Sequence, residues 1–304
     1  MTAHPMTGPA EPYRPGLLGR GGGLLRAAAD AVPPSGLVLL AILSVQVGAG
    51  FAKDLFAVLS PAGVVFLRVA TGALVLGLLA RPRLRGLSRG DLGVGVAFGL
   101  TLGLMNLSIY EALARLPMGI AVAVEFLGPL GVAVAASRRR LDILWVALAA
   151  AGIALLAPWD QAGGLSLTGL GFGLLAAVCW AGYILLSAAT GRRFPGMSGL
   201  TFAMLVSLIF ITPLGVASGG TDLLRPEFLL AGLGVGLLSS VIPYSIELEA
   251  LRRMPKRVFG ILMSLEPAAA ALVGLVVLGE ILRMREWAAI LCVVVASVGA
   301  TRSS

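Results

Sequence analysis

Ten runs of mostly apolar residues follow one another between residues 36 and 302, separated by short turns rich in proline, glycine or arginine. In hydrocarbon a backbone N–H or C=O has no partner except another backbone group. Runs of roughly twenty residues therefore read as helices that cross a bilayer. The expected spans are 36–53, 61–80, 91–112, 117–137 and 142–159, then 168–190, 199–218, 228–250, 256–278 and 286–302. Turns this short make consecutive helices antiparallel neighbours in one bundle. Charge agrees: 12% of residues are charged, where a soluble domain carries about a quarter. The fold class that follows is an all-α polytopic membrane protein.

One stretch occurs twice. Glu111 to Pro129 reads EALARLPMGIAVAVEFLGP, and Glu249 to Pro267 reads EALRRMPKRVFGILMSLEP. Glu111, Ala112, Leu113, Arg115, Pro117 and Pro129 meet Glu249, Ala250, Leu251, Arg253, Pro255 and Pro267 without a gap. An internal repeat implies two halves. With five spans in each half, an odd number, the second copy must lie upside down relative to the first. Inverted repeats of this kind enclose a substrate site near mid-depth, where the halves meet. The expected organisation is a disordered cytoplasmic tail over residues 1–35, a first repeat over 36–159 and a second over 160–304.

Basic residues set the orientation, because arginine- and lysine-rich loops stay in the cytoplasm. With the amino terminus inside, 17 of the 23 fall in inner segments and 5 in outer loops, at Lys53, Arg115, Arg225, Arg283 and Arg285; Arg68 lies within a span. Both termini are expected in the cytoplasm of a bacterial inner membrane. The net charge of +8 thus describes topology, and no nucleic-acid partner is inferred from it.

Polar residues within the spans are costly in hydrocarbon and face a cavity or a partner. In the first half these are Gln46, Arg68, Asn106, Tyr110 and Glu125. Arg68 and Glu125 lie seven and eight residues below Pro61 and Pro117, so both sit roughly 10–12 Å below the outer ends. A pair between them at matched depth reads equally as a structural ion pair or as a substrate contact. Asn106 and Tyr110 share a helix face with Gly99 and Gly103. Ser240, Tyr244 and Glu247 share another, and Trp180, Tyr183 and Ser187 form an aromatic stripe that reads evenly as packing or as cavity lining. Pro129, Pro243 and Pro267 remove the N–H that would bind the carbonyls of Glu125, Ser239 and Met263. Such freed carbonyls are tolerated beside a cavity and can act as bending points. Gly95, Gly99 and Gly103, Gly169 and Gly173, and Gly232 and Gly236 have the spacing of close helix contact.

The Leu248 to Glu280 stretch, LEALRRMP…ILMSLEPAAAALVGLVVLGE, resembles the second EamA domain of the drug/metabolite transporter superfamily. Met105 to Arg139, MNLSIYEALARLPMGIAVAVEFLGPLGVAVAASRR, is similar to bacterial amino-acid exporters of the RhtA and YddG kind, and its motifs are nearer the threonine/homoserine type than the aromatic type. The resemblance implies an inner-membrane exporter of amino acids working by alternating access. It also implies two inverted five-helix repeats around a cavity lined by helices one, three, four, six, eight and nine. Gln46, Asn106, Tyr110, Glu125, Trp180, Tyr183, Tyr244, Glu247 and Glu266 are the substrate-binding candidates, and Arg68, Pro129, Pro243 and Pro267 the structural or gating ones. Glu125 or Glu266 would hold the substrate ammonium; Asn106, Gln46 and the tyrosine hydroxyls would bond its carboxylate.

Partners follow from this reading: a small amino acid, the lipid bilayer, and protons if export is coupled through Glu125, Glu247 or Glu266; uncoupled export is the preferred expectation. The oligomer would be a monomer or a homodimer. A multidrug or other small-metabolite efflux carrier of the same superfamily is the alternative. Enzyme readings are poor. The one histidine is His4 in the tail, Cys179 and Cys292 stand singly, and no Cys/His cluster suggests a metal site, so neither cofactor nor metal is expected.

Overall fold

A computed structural model describes residues 32–79, 86–136, 141–156, 166–195 and 197–303. The expected tail, residues 1–35, lies almost wholly outside the described residues. Everything regular among the described residues is helical. Span one is α1 (Pro34–Asp54), span two α2 (Pro61–Leu79) and span three α3 (Arg89–Leu113). Span four is broken into α4 (Met118–Glu125) and α5 (Leu127–Ala136), and span five is α6 (Leu141–Leu156). Spans six and seven are α7 (Leu167–Gly191) and α8 (Ser198–Gly219). Span eight joins α9 (Pro226–Gly236) to α10 (Ile242–Arg253) through a π-helical turn, Leu237–Val241. Span nine is α11 (Lys256–Met263) and α12 (Glu266–Val277), and span ten is α13 (Met284–Ser303). Nine helices among the described residues are long and apolar enough to cross a membrane; span five contributes a shorter apolar helix, Ile143–Gly152. Polarity is arranged for lipid. Leu78, Val178, Ile209 and Val276 are each at least 70% exposed, while Gln46, Asn106, Glu125 and Glu266 are buried.

The breaks fall where proline removes a helical hydrogen bond. Pro129 lies four residues after Glu125, the last residue of α4; Pro267 lies four after Met263, the last of α11. Pro243 lies four after Ser239, in the middle of the π turn.

Glycine contacts give the helix directions. Gly232 and Gly236 lie against Leu67 and Thr71, so α9 runs parallel to α2. Gly95, Gly99 and Gly103 meet Phe202, Val206 and Phe210 in order, so α3 runs parallel to α8. Gly169, Gly173 and Gly128 meet Leu116, Val124 and Ala177, which aligns spans four and six. Spans one and nine are parallel as well: Gln46 reaches Glu266, Gly50 reaches Val273, and Lys53 reaches Glu280. By contrast, Gly119 beside Ala271 and Met118 beside Gly274 set span four antiparallel to span nine. Span six therefore opposes span one. Exchanging one for six, two for seven, three for eight, four for nine and five for ten maps the packing onto itself. Span three on six becomes eight on one, and two on seven, four on nine and five on ten map onto themselves. The two five-helix halves are inverted copies.

Both termini of the bundle lie at one face, called here the terminal face, and the opposite end is the far face. At the far face Lys53 Nζ bonds Glu280 Oε1 at 2.5 Å and the Leu116 carbonyl at 2.5 Å. The other Glu280 oxygen accepts the Met118 amide at 2.7 Å, at the exposed N–H end of α4. Gly279, at φ +66°, makes the left-handed turn that folds Glu280 back onto α12. Three far-face ends, those of spans one, four and nine, are held together here.

Candidate functional site

Between the halves lies a cavity of about 400 Å³, inside the range of small-ligand sites, roughly 300–1,000 Å³. Its blind end is near the far face, at Arg68, Tyr110 and Leu113. From there it passes Gln46, Glu125 and Glu266 and reaches Ala133, Phe259, Gly260 and Thr301, close to the terminal face. Lys53 and Glu280 lie beyond the blind end, outside the lining.

Gln46, Asn106, Tyr110, Glu125, Trp180, Tyr183, Glu247 and Glu266 all line this one cavity, as do Arg68 and Pro129. The Tyr244 side chain lies outside the described residues. Pro243 and Pro267 are buried behind the wall, at the helix breaks. Ser187 faces a separate small pocket with Phe98, Thr190 and Phe194, so the expected aromatic stripe divides after Tyr183. Helices two and ten contribute as well, through Arg68 and through Ser297 and Thr301. This extends the six-helix lining that the resemblance implied. Ser297 and Thr301, four residues apart on span ten, were overlooked; their i,i+4 spacing was the available signal. Phe126, Phe259 and Met263 were missed because apolar residues in a membrane helix carry no mark of the side they face.

At the blind end the fold holds a guanidinium in a polar cradle. Arg68 donates from Nη1 to the Tyr110 hydroxyl at 3.1 Å, from Nη2 to the Ser239 carbonyl at 3.1 Å, and from Nε to Ser240 Oγ at 3.3 Å. The Ser239 carbonyl is the one that Pro243 deprives of its helical donor. Proline thus prepares an acceptor and arginine uses it, between spans eight and two. The Arg68 guanidinium carbon also stands 5.4 Å from the centre of the Tyr110 ring, a cation–π distance. Phe56 packs edge-on against that ring at 5.8 Å. Span one reaches the π turn closely enough for Ser44 Oγ to bond the Leu238 carbonyl at 2.7 Å. A Cβ on Gly48 would lie 2.3 Å from Ser239 Oγ, so only glycine allows this approach.

Farther along, Gln46 Nε2 donates to Glu266 Oε1 at 3.1 Å, joining span one to the break in span nine. Glu266 Oε2 and Gln46 Oε1 are buried without a partner among the described residues. Glu125, at the break in span four, faces the cavity close enough to Arg68 to feel its charge. Glu266 and Glu247 line the same cavity as Glu125. The acidic groups therefore follow Arg68 along the cavity toward the terminal face. Asn106 Nδ2 donates one of its two N–H groups back to its own helix, to the Leu102 carbonyl at 2.8 Å. Trp180 and Phe126 meet edge to face at 5.4 Å and form an aromatic wall. The arrangement offers a cationic end, an acidic middle and an apolar side. It suits a small molecule carrying both charges.

Comparison with known proteins adds the following. Residues 167–302 match the EamA-like transporter family. The chain is 41% identical over 267 residues to the threonine/homoserine exporter RhtA of Salmonella typhimurium, covering 87% of this chain and 90% of that protein. It is 40% identical over 270 residues to the threonine/homoserine exporter RhtA of Escherichia coli K12, covering 88% and 91%. It is also 28% identical over 152 residues, about half of each chain, to the transporter YwfM of Bacillus subtilis. A solved crystal structure of a protein with 18% identity superposes with a TM-score of 0.58 over 88% of this chain and 96% of its own, a likeness of fold.

Proposed function

Because the chain belongs to the EamA-like transporter family, we propose that it exports small amino acids, threonine and homoserine first among them, by alternating access. The single observation that carries the reading is the blind cavity between inverted repeats, with a guanidinium at its closed end and carboxylates beside it. An amino acid is a zwitterion and needs both charges answered once it leaves water, since an unpaired ion in a low-dielectric site is costly. High identity over nine-tenths of the RhtA proteins, whose names state threonine and homoserine, supports the substrate class.

The arginine bias makes the terminal face cytoplasmic, so the conformation described is the inward-facing one. Substrate enters past Phe259 and Thr301, while Lys53, Glu280, Leu116 and Met118 close the outside. Turnover requires these far-face contacts to part and the terminal face to close. The helix breaks at Glu125, the Ser239 turn and Ser264 are the bending points at which each half can move.

The test is efflux from proteoliposomes loaded with a panel of labelled amino acids. Threonine and homoserine are expected to leave faster than from protein-free vesicles, with cationic dyes not transported. Retention of every amino acid, or loss of dyes in their place, overturns the proposal.

A further inference from the structure

Glu266 accepts the Gln46 amide on Oε1 at 3.1 Å, and its Oε2 has no hydrogen-bond partner among the described residues. No ion pair joins it to a described cation either. The helix it opens gives no help: Pro267 has no N–H, and the Ala269 amide goes to the Leu265 carbonyl at 2.9 Å. Gln46 carries the matching deficit. Its Oε1 also lacks a donor among the described residues, on the same amide whose nitrogen holds Glu266. Both residues border the cavity, yet these two oxygens are shut off from it by the atoms around them. A bridging water, or the ammonium of a substrate, must touch an oxygen to bond it, and here neither can. An ionised carboxylate left in this way is costly, and so is a buried acceptor with no donor. One hydrogen removes both costs. On Oε2 it neutralises the carboxyl and makes that oxygen a donor, which is what Gln46 Oε1 lacks. Turning the Gln46 amide over does not remove the need, because two oxygens would then face each other at 3.1 Å and only an O–H could join them.

Resting on the exporter reading above, we infer that Glu266 holds a resident proton on Oε2, donated to Gln46 Oε1, and keeps it when threonine binds. The two side chains form a neutral acid–amide clasp between span one and the break in span nine. It lies about two helical turns inside the Lys53–Glu280 contact, which ties the same two spans at the far face. Gln46 and Glu266 are positioning residues: they hold the bend at Ser264 against span one and add no charge to the cavity. A proton enclosed in this way belongs to the fold and does not travel as a counter-substrate.

Infrared spectra of the detergent-purified full chain test this, because a neutral carboxylic acid has a C=O stretch above the amide band that moves down in heavy water. Wild type minus Glu266→Gln is expected to show one such band. Gln46→Leu keeps the acid but removes its hydrogen-bond partner, so it is expected to move that band to higher wavenumber; this variant carries the test alone should Glu266→Gln fail to fold. Saturating threonine is expected to leave the wild-type band in place. A Glu266→Gln protein that loses no acid band, a band indifferent to Gln46→Leu, or a band that vanishes when threonine is added each overturns the inference, the last by showing that Glu266 ionises to meet the ammonium. None of these touches the exporter reading. Wild-type protein that shows the band yet binds and exports no amino acid overturns the exporter reading and leaves the proton on Glu266 in place.

Discussion

Replacing Glu280 with glutamine tests the outer closure directly. The carboxylate holds Lys53 at 2.5 Å with one oxygen and the Met118 amide at 2.7 Å with the other. Side-chain exposure of Lys53 and Glu280 is 20% and 16%, between the exposed pairs that contribute about 0–1 kcal/mol and the fully buried ones whose disruption costs about 3–5 kcal/mol. A loss of about 1–3 kcal/mol follows, and it falls on the inward-facing state alone if these contacts part when the outside opens. Such a difference shifts the ratio of the two states by about 5- to 150-fold. Ala49 lines the cavity one helical turn inside Lys53 and reports the shift. In a background with Cys179→Ala and Cys292→Ala, Ala49→Cys should react slowly with an impermeant maleimide applied from the periplasmic side. Adding Glu280→Gln should raise that rate several-fold or more. Adding Lys53→Met as well should raise it by less than Lys53→Met does alone, because the Lys53–Glu280 contact is shared while the bond to the Leu116 carbonyl is lost only in the second step. A folded Glu280→Gln protein that labels at the parent rate refutes the gating role, and so does labelling gained only from the cytoplasmic side.

Three further expectations follow from the same geometry. Glu125→Gln should reduce threonine efflux at normal expression, and undiminished efflux in loaded vesicles would remove Glu125 from the mechanism. Gly48→Ala pushes a methyl against Ser239 Oγ and the Ser239 amide, placed 2.3 and 3.1 Å from the new carbon; a loss of about 1–3 kcal/mol is expected from overpacking, read as a lower unfolding temperature in detergent, and an unchanged temperature would show that the two spans separate freely. An imposed pH gradient should leave the initial rate of efflux unchanged if export is uncoupled, whereas sustained stimulation by protons outside would make Glu125, Glu247 and Glu266 carriers of a counter-substrate.

The sequence by itself determined the membrane class, the ten spans, the doubled motif and hence, by the odd number of spans per copy, the inversion. Each rests on local or counting arguments: an apolar run has one viable structure in lipid, and parity decides orientation. The proline positions also located the helix breaks, because a missing N–H acts on the carbonyl four residues before it. Polarity within the spans likewise picked out Gln46, Glu125 and Glu266, since any such group must avoid lipid. Only the tertiary structure decided what these groups meet: the Asn106 amide donates to the Leu102 carbonyl, and the Arg68 guanidinium is held by Tyr110, Ser239 and Ser240. Lys53 falls in an outer loop by the count of spans and Glu280 closes the stretch that carries the resemblance, and no local signal joins residues 227 apart. Periodicity tells which side of a helix is polar. What that side meets depends on how distant helices pack, and in this bundle glycine contacts between the two halves set that packing.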